Sequence, residues 1–130
     1  MKPYIVCTGI LYGNGERIFY EHFRKAWTGA SLPLLGEGTN IIPTIHVTDV
    51  AKLIKKMIFE INPRLNKIPS YILAVDNGNN TQREIVSALV NSKSKRINQV
   101  DLFDVYSEEW SDFLNIDLKM RPSILFDSKF

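Results

Sequence analysis

Short apolar runs and stretches of helical periodicity take turns along this chain. Residues Tyr4 to Leu11, Y-I-V-C-T-G-I-L, are rich in β-branched side chains and show no polar alternation. Such a run predicts a strand buried on both faces, the usual situation in a parallel sheet. Gly13-Asn14-Gly15 ends it, and Ile18, Phe19, His22, Phe23, Ala26 and Trp27 then recur at helical spacing. They predict a helix from about Glu16 to Trp27, with Gly29 as its stop signal. From Ala30 to Thr44 the chain carries Pro33, Gly36, Gly38 and Pro43, which predict loop and short strand. Ile41, Ile42, Ile45 and Val47 supply β propensity there.

The strongest amphipathic stripe follows: Val50, Leu53, Ile54, Met57, Ile58 and Ile61. It predicts a helix that starts near Thr48 or Asp49, either of which can cap it, and that ends at Asn62-Pro63. Tyr71 to Val75 is another apolar strand, closed by Asp76-Asn77-Gly78. Thr81-Gln82-Arg83-Glu84 has the form of a capping box, and Ile85, Val86, Leu89 and Val90 give the buried face of the helix it opens. Asn91 to Arg96 read as a polar, basic loop. Val100 and Leu102 flank Asp101 as in a strand with one face exposed, and Ser107 to Leu114 suggest a short helix with Trp110, Phe113 and Leu114 inward. No internal repeat or low-complexity tract interrupts this order.

With 130 residues, the chain fits one domain or part of one, and we treat residues 1–130 as a single partial domain. Hydrophobic residues at 45% and charged residues at 23% match soluble globular proteins and argue against disorder or a collagen-like repeat. Sixteen Lys and Arg against 14 Asp and Glu, interspersed, give a net charge of +2. That balance builds no field for nucleic acid or an anionic membrane. No apolar stretch approaches the roughly 20 residues needed to span a bilayer. The single cysteine, Cys7, excludes an internal disulfide and a multi-cysteine metal site, and reads as a small buried side chain.

Candidate chemistry is sparse. His22 falls on the apolar face of the first helix and reads as a packed core histidine. His46, between Ile45 and Val47, stands before a helix start, and neither histidine has a metal-ligand spacing. Gly13-Asn14-Gly15-Glu16 and Gly36-Glu37-Gly38-Thr39 are glycine turns without the lysine or G-x-G-x-x-G pattern of a phosphate site, so both read as plain turns. Lys93 to Arg96 read as solvated surface. No pair of carboxylates and no nucleophile matched with a base stands out. We therefore assign no catalytic, cofactor-binding or metal residue, and expect no cofactor.

The motifs become more specific when read in order. Val6-Cys7-Thr8-Gly9-Ile10-Leu11-Tyr12-Gly13 resembles the strand and Y-G turn in the later half of extended short-chain dehydrogenases and sugar epimerases. Leu34-Leu35-Gly36-Glu37-Gly38-Thr39-Asn40 is similar to their glycine hairpin, and Ile45-His46-Val47-Thr48-Asp49-Val50-Ala51 to their "iHVxDvA" helix start. Tyr71 to Asp76 and the helix from Thr81 take the place of their next strand and helix. More narrowly, Gly9 to Gly13, Phe23-Arg24-Lys25-Ala26-Trp27 with Gly29, Gly36 to Asp49 and Tyr71 to Asp76 resemble the epimerase-like region of the adenylate kinase isoenzyme seven family. The likeness extends from about Val6 to about Leu125 and weakens after Val100.

That resemblance implies an α/β fold: the C-terminal portion of an extended short-chain dehydrogenase/epimerase-like Rossmann fold, lacking the dinucleotide-binding first half. The family is associated with the axoneme of motile cilia and flagella, a cytoskeletal setting. The dehydrogenases' glycine-rich turn and Tyr-x-x-x-Lys pair lie before the matched part, and the kinase phosphate loop after it. Tyr12 is not that tyrosine, because Glu16 stands four residues on. The resemblance thus implies a non-catalytic structural or interaction component of the axoneme. Its partners would be other axonemal proteins, or the remainder of a longer chain that completes the sheet. The alternatives are the substrate-pocket half of a split or degenerate NAD(P)-dependent epimerase or reductase, and a fragment of a larger axonemal adenylate kinase.

Overall fold

The computed structural model of the chain describes residues 3–61, 68–93, 97–100 and 114–123. The opening apolar run is two strands, β1 (Ile5–Thr8) and β2 (Ile10–Tyr12), divided at Gly9. A Cβ on Gly9 would stand 2.9 Å from the Pro43 carbonyl oxygen, so only glycine lets the chain pass this close. There the chain changes partners: the Gly9 N–H donates to the Ala74 carbonyl at 2.9 Å, and the Ile10 N–H to the Pro43 carbonyl at 2.8 Å. β1 pairs in parallel with β5 (Tyr71–Ala74), and β2 in parallel with β4 (Thr44–His46). β3 (Leu32–Leu35) pairs in parallel with β6 (Ile97–Val100).

The expectation of a strand buried on both faces is corrected here. Val6 and Cys7 are half-buried and Ile5 is 44% exposed, because among the described residues no element covers the face that Ile5 and Tyr71 share. Cys7 is accordingly half-buried rather than buried. Among the described residues no strand pairs with the outer edge of β1. The outer edge of β5 is met instead by Ser123, whose hydroxyl accepts from the Leu73 N–H at 2.8 Å and whose N–H donates to the Leu73 carbonyl at 2.9 Å.

Helix α1 spans Tyr20–Thr28, shorter than the periodicity suggests. Glu16 stays outside it: its carboxylate accepts from the Ile18 and Phe19 N–H groups and holds the chain in a turn. Gly29, at φ 73°, closes the helix as expected, with the Ala30 N–H bonded back to the Lys25 carbonyl. Phe19, His22 and Ala26 are buried, whereas Phe23 and Trp27 are 50% and 73% exposed. The predicted inward face is thus only half right, and Trp27 is not core.

Helix α2 spans Val47–Phe59 and buries Leu53 fully. It starts one residue before the expected caps, because His46 supplies the cap: its Nδ1 accepts from the Thr48 N–H at 3.1 Å. Val50, Met57 and Ile61 pack with Leu53, Ile45, Ile72 and Ala74, while Ile54 and Ile58 are exposed. Asn62-Pro63, the predicted terminator, lies outside the described residues.

Helix α3 spans Gln82–Lys93, so Asn91 to Lys93, expected in a polar loop, are helical, and residues 94–96 lie outside the described residues. Its capping box is present: Thr81 N–H and Oγ1 donate to the Glu84 carboxylate, and the Glu84 N–H donates to Thr81 Oγ1. Val86 packs with Ala26, Leu32 and Leu34. The strand expected about Asp101 falls at Ile97–Val100. Asp101 itself and the predicted helix from Ser107, with Trp110 and Phe113, lie outside the described residues. Leu114 is buried beside Phe19 and Ile42. Among the described residues no helix is long and apolar enough to cross a membrane.

Candidate functional site

In a parallel α/β sheet the carboxyl ends of the strands are where side chains and loops converge to form a site. Here β2 ends at Tyr12, β4 ends at His46, and Asp76 stands just beyond β5. The Tyr12 hydroxyl hydrogen-bonds to the Asp76 carboxylate. Thr44 Oγ1 donates to Asp76 Oδ2 at 3.3 Å, and the Asp76 N–H donates to the Thr44 carbonyl at 2.8 Å. The imidazole of His46 meets the Tyr12 ring edge-on, with centroids 5.1 Å apart and planes at 87°.

Gly13 makes room for that imidazole. It has φ 93°, and a Cβ there would collide with the His46 ring. Asn14 follows at φ 53° and donates from Nδ2 to Thr48 Oγ1 at 3.2 Å, tying the turn to the first turn of α2. The glycine turn therefore leaves the space in which the His46 ring sits. The turn at Gly36–Gly38 also has a structural task. The Gly38 and Asn40 carbonyls accept from the Arg83 and Gln82 N–H groups at the start of α3, at 2.9 Å each.

Burial, and then the nearby Asp76 carboxylate, push the Tyr12 phenol above its ordinary value. Burial also raises the Asp76 carboxyl, and the hydrogen bonds from Tyr12 and Thr44 offset part of that rise. A tyrosine serving as a base at neutral pH needs a lowered pKa, so this environment works against that role. His22 stands apart from this cluster. It is 2% exposed, and burial lowers its imidazole from 6.5 to about 4.

Beside the cluster lies a cavity of about 270 Å³ between α1 and α3. Phe19, Phe23, Ile85, Ala88 and Leu89 form its apolar wall, and Tyr12, Thr44, Asn80 and Glu84 its polar part. The sequence reading named Tyr12 and His46 singly but missed Asp76, Asn80 and the cavity. Among the described residues no group of three or more His, Cys, Asp or Glu is placed to hold a metal ion. Of the basic stretch Lys93 to Arg96, residues 94–96 lie outside the described residues.

No family model matches the chain. In sequence it is similar to adenylate kinase 7 from Macaca fascicularis and from Mus musculus, at 33% identity over 126 residues in each case. Those alignments cover 91% of this chain but only 23% and 20% of the two relatives, so the chain spans less than a quarter of their length. In structure it is similar to a human epimerase family protein solved with NADPH, with a TM-score of 0.62 at 19% identity over 80% of this chain and 34% of that one. A dTDP-glucose 4,6-dehydratase from Bacillus anthracis, solved with NAD, gives 0.60 at 22% identity over 75% and 32%. A UDP-N-acetylglucosamine 4-epimerase from Bacillus cereus gives 0.55 at 16% identity over 88% and 40%. The parallel α/β fold of the epimerases and the likeness to adenylate kinase 7, both expected from the motifs, are borne out.

Proposed function

From the premise that this chain is related to a segment of adenylate kinase 7 and carries part of an epimerase-like Rossmann fold, we propose that it is a non-catalytic structural and interaction component of the axoneme of motile cilia or flagella. The supporting observation is the apolar surface it leaves uncovered. Trp27 on α1 is 73% exposed, Phe59 and Ile58 on α2 77% and 66%, and Tyr71 on β5 64%, large side chains that a neighbour would desolvate. The outer edge of β1, unpaired among the described residues, adds a row of backbone donors and acceptors that invites another strand. Its partners are other axonemal proteins, or further parts of a longer chain that complete the sheet. The raised phenol of Tyr12 is consistent with a role that asks no acid–base work of it.

The test is to fractionate ciliated cells and blot with an antibody raised against this segment. A band in the salt-resistant axonemal fraction is expected, and a band confined to soluble cytosol would overturn the proposal. A second reading has its own support in the cavity at the carboxyl ends of β2 and β4. On that reading the chain shapes the substrate pocket of an NAD(P)-dependent epimerase or reductase, and NADH or NADPH raises the melting temperature of the reconstituted protein. The kinase activity named for the relatives is a third reading for any longer protein that includes this segment.

A further inference from the structure

The cavity between α1 and α3 carries a charge pattern that points to one kind of occupant. Glu84 is the one fully charged residue among the described residues that line it; no Lys, Arg or His joins it. Hydrogen bonds from the Thr81 backbone and hydroxyl hold the Glu84 carboxyl below its ordinary value, so it is ionised at neutral pH. Both of those bonds fall on Oε2. The start of α3 offers no spare donors for an anion either. The N–H groups of Thr81, Gln82, Arg83 and Glu84 are taken by Glu84 Oε2, the Asn40 carbonyl, the Gly38 carbonyl and Thr81 Oγ1. A nucleoside diphosphate placed here would meet a carboxylate and no cation.

The apolar wall continues outward. Phe23 lines the cavity and is 50% exposed, while Tyr20 and Trp27, one turn to either side on α1, are 56% and 73% exposed. These aromatics form a stripe about 10 Å long beside the cavity mouth. Resting on the scaffold reading above, we propose that this cavity is an anchor site for an apolar side chain of a partner protein, carried on a segment that crosses the cavity mouth and sets a Lys or Arg against Glu84. The partner is an amphipathic segment with aromatic or aliphatic anchors at helical spacing and a cationic flank. Charge complementarity selects it over an acidic segment or a phosphorylated ligand, and the aromatic stripe supplies the contact area.

The experiment titrates the full chain with tryptamine, indole and indole-3-acetate, following the Ile85, Ala88 and Leu89 amides by NMR at low and at high salt. The three probes share a ring and differ in charge. The expected order of affinity is tryptamine, then indole, then indole-3-acetate, with the first and last separated by roughly three-fold or more at low salt. High salt narrows that gap. Glu84→Gln erases it while keeping the capping box, which accepts glutamine as well as glutamate. Ala88→Phe fills the cavity and abolishes binding of all three probes. Failure of all three to bind, or binding of indole-3-acetate as tightly as tryptamine, would overturn the anchor site and leave the scaffold reading standing. Saturable binding of UDP-glucose in competition with tryptamine would overturn both.

Discussion

Acid should weaken this fold through His22. The folded chain holds its imidazole in the core, 2% exposed, with a pKa lowered to about 4 by burial and secondarily by Lys25. Unfolded, the same group titrates near 6.5. Below 6.5 the unfolded chain takes up a proton that the folded chain refuses until about pH 4, so stability falls as pH falls across that window and levels off beneath it. Between pH 7 and pH 5 the loss from this one residue is about 2 kcal/mol. Glu21 on α1 contributes with the opposite sign, but burial dominates. The assay is urea unfolding followed by far-UV circular dichroism at both pH values, on the parent and on His22→Leu. Leucine packs the same space without titrating, at a cost at pH 7 of less than about 1.5 kcal/mol. The difference between parent and variant in the pH 7 to pH 5 change isolates His22 from the carboxylates. An equal loss in both proteins would refute a histidine buried in its neutral form.

Further outcomes are expected at four positions. Gly13→Ala forces a side chain into a positive-φ site and against the His46 ring, and should cost about 2 kcal/mol or more in unfolding free energy. Gly15→Ala, at φ 79° but facing open space, should cost about 1 kcal/mol. His46→Ala removes the acceptor for the Thr48 N–H and should lower stability by about 1 kcal/mol, which His46→Asp largely restores as an alternative cap. Asp76→Asn should shift the Tyr12 phenol downward in an absorbance titration at 295 nm, because the nearby negative charge is gone while burial remains. An unmoved phenol would mean that the Asp76 carboxylate is not the neighbour described.

What the sequence made legible was local. The T-x-x-E box of α3 and the Gly29 stop depend on residues close in sequence, and the apolar composition of the opening run marks a parallel sheet, but not that β1 pairs with β5 and β2 with β4. Gly9 was not legible as a strand boundary, because its reason is Pro43, brought beside it only by folding. The faces of α1 and α2 were half legible. Periodicity identifies an apolar arc, but only the packed structure decides that Ala26 and Leu53 are covered while Trp27 and Ile58 are not. His46 outcompetes Thr48 and Asp49 as a cap because the Tyr12 ring and the gap over Gly13 hold its imidazole in place. The site was legible only in fragments. Tyr12 and Asp76 share one signal, each closing an apolar strand run just before an Asn-Gly turn, and the rule for carboxyl ends of parallel strands would have brought them together.

That convergence has a consequence for the scaffold role proposed above. Tyr12, His46 and Asp76 belong to three segments far apart in sequence, and their mutual contacts fasten the ends of β2 and β4 to the loop after β5. Neutral Tyr12 donates to Asp76, Thr44 donates to the same carboxylate, and His46 spends Nδ1 on the cap of α2. These bonds tie the Tyr12 phenol, the Thr44 hydroxyl, the Asp76 carboxylate and His46 Nδ1 into the fold, and diverting any of them to a ligand would cost a buried or half-buried group its hydrogen bond. The neighbouring cavity, apolar except for its rim, is then free to receive a side chain from outside. On the scaffold role proposed above, the cavity would hold a partner's side chain while the polar cluster beside it holds the strand ends together.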